Sequence, residues 1–128
     1  MDHSSEIASR IEAIERGYEY LLAYAAQGRQ DDAGTEVRQT LTGMHAALDG
    51  IDALFAAAIG TASAAAAREA AGFIEALGDD AHKARGAIGL VLSRAAIGSL
   101  LVDNLNASIH LRALLTDVFL ADQALRQR

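Results

Sequence analysis

Proline, cysteine and tryptophan are all missing from the 128-residue sequence, and aromatic residues make up only 5% of it. Without proline, no position is barred from a helix interior by a missing N–H or a ring clash. Without cysteine there is no disulfide, no thiolate metal ligand and no thiol nucleophile. Aromatic and β-branched strand formers are sparse, while alanine, leucine, glutamate, arginine and glutamine all favour helix. Cations are also few: 11 Lys and Arg stand against 17 Asp and Glu, for a net charge of −6, and they form no run. A nucleic-acid partner needs clustered Lys and Arg and is not expected. Long apolar runs are absent too. The one candidate span, residues 86–102, falls short of the ~20 residues a spanning helix needs and carries Arg94 at its centre, so no membrane crossing is expected. The opening MDHSSEIASR has neither the basic start nor the apolar core of a signal peptide, which predicts a cytoplasmic protein.

What the sequence does contain is helical periodicity. Hydrophobic residues reach 52% against 22% charged, enough to build a core, and the length suits one domain over residues 1–128. From about Ser5 to Gln27, Ile7, Ile11, Ile14, Tyr18, Leu21 and Ala25 recur at alternating four- and three-residue steps. Ser4 is a candidate cap and Gly28 a candidate stop. RQDDAGT, residues 29–35, reads as a loop, and Thr35 as the cap of a second helix. Its stripe is Val37, Leu41, Met44, Leu48, Ile51, Phe55 and Ala58, ending at Gly60. The short connection makes these two helices antiparallel neighbours.

Thr61 or Ser63 can cap a third helix, with Ala70, Phe73, Ile74 and Leu77 on one side and Gly78 as its stop. Asp79 or Asp80 would cap a fourth, unless the third and fourth are joined through a bend. From Ala84 onward one stripe runs Ile88, Val91, Ala95, Gly98, Val102 and Leu105, and Leu90, Ile97 and Leu101 form another. A helix apolar on several sides must be surrounded by protein. DNLN, residues 103–106, reads as a break before a last helix from about Ala107 to Gln127, with Arg126 and Arg128 at its C-terminal end. The expected fold is all-α, an antiparallel bundle of four or five helices.

AHKARG, residues 81–86, resembles the Ala-His-x-x-Lys-Gly signature of histidine phosphotransfer domains, with Arg85 in place of the lysine. The resemblance implies a helical bundle acting as a phosphorelay intermediate. His82 would accept phosphate from a response-regulator aspartate, Arg85 would steady the phosphoryl charge, and Gly86 would give the partner room. Three features depart from that pattern. A helix starting at Gly78–Asp80 puts His82 in a first turn, whereas the family's histidine lies well inside a long helix. Asp79 and Asp80 also repel an incoming phosphate, and the family's second glycine has no counterpart at its spacing.

His3, His45, His82 and His110 fall in different segments. His45, Asp49 and Asp52 share one helical sector, as do Asp103, Asn106 and His110, and bundles can build metal sites from facing helices. The Glu-x-x-His pairs of carboxylate-bridged bundle sites are absent, so His45, Asp49, Asp52 and His110 are weak candidates and no metal or cofactor is expected. Tyr20 and Tyr24, with Gly17 and with Phe55, Phe73 and Phe119, are candidates for an apolar ligand pocket. Neither an activated serine nor a phosphate-cradling glycine loop is recognisable, so no enzyme is expected.

The remaining feature is the run of small residues from Gly86 to Ser99. Glycine inside a helix costs roughly 0.5–1 kcal/mol relative to alanine, which is offset where two backbones approach closely. Gly86, Gly89, Leu90, Ser93, Ile97 and Leu101 are the residues expected at a contact between two copies. The sequence thus reads as a non-enzymatic interaction or assembly module, a homo-oligomer that also meets another protein. A phosphotransfer intermediate, and a bundle holding a metal or small apolar ligand, are the alternatives.

Overall fold

A computed structural model describes residues 3–126, the side chain of Ala62 excepted. All of its regular elements are α-helices: α1 (His3–Ala25), α2 (Val37–Leu48), α3 (Ile51–Ala62), α4 (Ala64–Leu92), α5 (Ser99–Ala107) and α6 (Ile109–Arg126). They are six rather than four or five, yet they form four antiparallel legs. α1 is the first, α2 with α3 the second, α4 the third, and α5 with α6 the fourth. No helix among the described residues is long and apolar enough to cross a membrane. Gln127 and Arg128, expected at the last helix end, lie outside the described residues.

The stripes face inward largely as their spacing predicts. Ile7, Ile11, Ile14, Leu21, Val37, Leu41, Met44, Leu48, Ile51 and Phe55 are all buried in one core cluster, with Leu111, Leu114, Val118 and Ala121 of α6. In α1 the stripe passes through Gly17 and Tyr24, and Tyr18 is only half-buried. Gly17 is needed there for clearance, because a Cβ would lie 2.5 Å from Met44 Cγ of α2. Ser4 sits inside α1, which already begins at His3, so it is not the cap. Ser63 does cap its helix, accepting from the Ala66 N–H at 3.1 Å. Thr35 accepts only a long 3.4 Å bond from Val37 N–H, and Glu36 occupies the cap position.

Three expected helix boundaries fall elsewhere. The second helix is not continuous: Asp49 is extended (ψ 118°) and Gly50 left-handed (φ 67°), a conformation glycine adopts at no steric cost. The carbonyls this break leaves unpaired are taken by arginines from neighbouring legs. Arg10 of α1 donates to the Ala47 and Asp49 carbonyls, and Arg85 of α4 to that of His45 at 3.2 Å. The stripe stays in phase across the break, so spacing alone conceals it.

Gly78 stops nothing. α4 runs unbroken for 29 residues, and the third and fourth expected helices are one. At Gly78 the helix passes close to α3, where a Cβ would stand 2.6 Å from Asp52 Oδ2. That clearance explains the glycine better than an ending does.

The helix expected over residues 86–102 ends at Leu92. A loop follows, and DNLN lies inside α5, with the next break at Ser108. Arg38 of α2 donates to the carbonyls of Leu92 (3.1 Å), Arg94 (2.7 Å) and Ala95 (3.0 Å). Asp32 accepts from Ile97 N–H at 2.9 Å and pairs with Arg38 Nε at 2.7 Å. The Ile97 bond first, and Arg38 second, hold the Asp32 carboxyl below its ordinary pKa. Tyr24, fully buried, donates to the Ile97 carbonyl at 2.5 Å, and Ser99 Oγ donates to the Tyr24 carbonyl at 2.7 Å. A buried polar group left unpaired costs about 1–3 kcal/mol, so this network lets the chain leave the helix without that penalty.

The second and third legs extend past the core. Between Phe55 and Leu77, both fully buried, no described side chain is buried. The α3–α4 hairpin is therefore an arm whose far end packs only as two helices.

Candidate functional site

His82 lies well inside α4 and is exposed, not in a first turn. Gly86, one turn on, is also exposed, and a Cβ added there would meet nothing within 4 Å. Asp79 and Lys83 flank the histidine on open surface. Arg85 turns away into the seam with α2. Its guanidinium lies 3.5 Å from Asp49 Oδ1 and 3.4 Å from His45 Nδ1, besides its bond to the His45 carbonyl. Of the three residues that the phosphotransfer resemblance names, His82 and Gly86 share an open surface, while Arg85 is engaged in holding the end of α2.

The candidate metal residues do not converge. No group of three His, Cys, Asp or Glu able to hold an ion occurs among the described residues. The break at Gly50 puts His45 and Asp49 on one helix end and Asp52 on the next helix, beside Gly78. His45 Nδ1 already faces a guanidinium. His110 is exposed on α6, across the Ser108 break from Asp103, and Asn106 is buried and donates to the Leu21 carbonyl at 3.1 Å.

Nor do the aromatics line one cavity. Tyr20 and Tyr24 stack with centroids 6.1 Å apart, Phe55 is deep in the core, Phe73 is half-buried on α4 and Phe119 is 41% exposed on α6. A shallow groove of about 280 Å³ runs beside Gly17, Tyr20 and Met44. A second groove, of about 210 Å³, lies between α3 and α4 of the arm and is lined by Ala56, Ile59, Ala67, Ala70, Ala71 and Ile74. Both fall below the roughly 300–1,000 Å³ usual for small-molecule sites.

The residues expected at a contact between copies are scattered by the break after Leu92. Ile97 is fully buried in the protein's own core, held there by Tyr24 and Asp32, so it cannot meet a partner. Leu101 packs half-buried against the same core. Leu90 is 65% exposed, and Gly86 and Ser93 are exposed near it. Gly86 and Gly89 are approached by no neighbouring backbone.

One pair escaped the sequence reading. Asp117 of α6 faces Asp80 of α4, and its Oδ2 is shut off from solvent without a hydrogen-bond partner. Burial first, then the bond to Asp80 and the charge of Asp80, raise its carboxyl to about 7. A carboxyl raised this far keeps its proton towards neutral pH, and a protonated Asp117 can share that proton with Asp80. The available signal was an acid next to the Leu114–Val118 stripe, but Asp80 read as a helix cap. Comparison with protein-family models, with curated proteins and with solved structures finds no match for this chain.

Proposed function

We propose that this chain is a non-enzymatic assembly module that associates with a second copy of itself and presents the resulting bundle to another protein. The observation that carries this reading is the α3–α4 arm. It is about half alanine between Phe55 and Leu77, holds few charges, and fully buries none of its described side chains, Ala58, Phe73 and Ile74 packing only half-buried against the core. Water-exposed apolar surface of that kind is stabilised by association, at roughly 25 cal/mol per Å² covered. Leu90, Leu100, Ile109 and Leu120, each more than half exposed, add apolar surface outside the arm. Sedimentation over a concentration series tests the reading: a dimer or higher species is expected in the micromolar range. A chain that stays monomeric at high micromolar concentration ends it.

A second reading, the phosphotransfer intermediate, is favoured by one observation: His82 is exposed midway along a long bundle helix with open space at Gly86. Incubation with a phosphorylated response-regulator receiver domain tests it. Acid-labile phosphate on the wild type and none on His82→Gln supports it, and no transfer to either removes it.

A further inference from the structure

We infer that the arm pairs with the arm of a second copy, the two α4 helices crossing antiparallel about a two-fold axis between Ala71 and Gly72. This rests on the assembly reading and names its surface. Arg68, Gly72 and Glu75 lie within about 60° of arc on α4, and all three are exposed. Neither charge has an opposite charge one turn away. Arg68 has Ala64, Ala65, Ala71 and Gly72 at those positions, and Glu75 has Ala71, Gly72, Gly78 and Asp79. Elsewhere the chain uses that spacing, in Glu6–Arg10, Glu12–Arg16 and Asp122–Arg126.

The midpoint of Arg68 and Glu75 falls between residues 71 and 72. In a two-fold contact each residue meets its counterpart reciprocally, so each Arg68 falls opposite the other copy's Glu75 and both charges are satisfied at once. At the axis itself stand an alanine and a glycine, which allow the helices to close to the short end of the 8–10 Å packing range. Ala71 also rims the apolar groove between α3 and α4, so the second copy covers that edge. This complementarity of the surface with itself makes a second copy, rather than an unrelated protein, the occupant.

A charge swap tests the pairing, with sedimentation as the readout and far-UV circular dichroism to check that each variant keeps its helices. Arg68→Glu and Glu75→Arg are each expected to weaken the dimer by about tenfold, because each turns two attractive pairs into two repulsive ones. The double variant restores both pairs and should return to within about threefold of wild type. A wild-type dimer that neither single change weakens overturns the arm contact while leaving assembly standing. Singles that weaken without rescue in the double overturn the facing of Arg68 and Glu75. A wild type that is monomeric throughout overturns the assembly reading together with its surface.

Discussion

Replacing Asp117 by asparagine should remove the pH dependence of stability that the seam between α4 and α6 imposes. In the folded chain, burial and Asp80 raise this carboxyl from 3.8 to about 7. In the unfolded chain it titrates near its ordinary value. Between those pH values the folded state keeps a proton that the unfolded state has released. Stability from this group is therefore greatest at the acidic end and falls as pH rises towards and past 7. A shift of about 3 units at 1.36 kcal/mol each sets a ceiling of roughly 4 kcal/mol. Asp117 is only part-buried and water screens some of that, so a loss of about 1–2 kcal/mol between pH 5 and pH 8 is expected. Asparagine keeps the shape, carries no charge, and can donate its amide N–H to Asp80. Urea unfolding of both proteins at pH 5 and pH 8 in the same salt measures the effect. The wild type should lose about 1–2 kcal/mol more than the variant over that interval. The other ionisable groups are common to both proteins, so their contributions cancel in the difference. Identical pH slopes would refute the shared proton.

Ile97→Glu should prevent folding, because it puts an unpaired charge into the core at about 3–5 kcal/mol, and a native-like thermal melt would contradict the burial of Ile97. Gly50→Ala should lower stability by about 1 kcal/mol in urea unfolding through its left-handed backbone, with Gly50→Asn costing less; equal stability of Gly50→Ala and wild type would argue against the break. Arg38→Ala should cost about 1.5–3 kcal/mol and speed amide exchange at Ile97, since three loop carbonyls and Asp32 lose their partner. Unchanged exchange would show that the loop is held some other way.

The candidate site was legible only in part. His82, Arg85 and Gly86 stand out in the sequence as a motif, and one-turn spacing correctly put them on neighbouring positions of a helix. Their exposure depends on where α4 starts, and Gly78 points to a start that the packing against α3 overrides. A glycine costs a helix only about 1 kcal/mol, less than the packing of α3 against α4 contributes, so it marks an ending only when nothing packs over it. The Asp80–Asp117 pair was invisible for a related reason. Its meaning lies in the contact of two residues 37 positions apart, and neither is unusual within its own helix.

By itself the sequence determined that the chain is helical and most of the residues by which α1, α2, α3 and α6 face the core, because absent proline, plentiful alanine and a 3.6-residue period are local properties of the backbone. Only the tertiary structure decided where the helices break. A stripe such as Leu48–Ile51–Phe55 stays in phase through a left-handed glycine, so periodicity cannot report a lost hydrogen bond. The breaks at Asp49–Gly50 and after Leu92 are stable because Arg10, Arg85 and Arg38 reach across from other legs to the freed carbonyls. That supply of donors exists only once the legs are side by side.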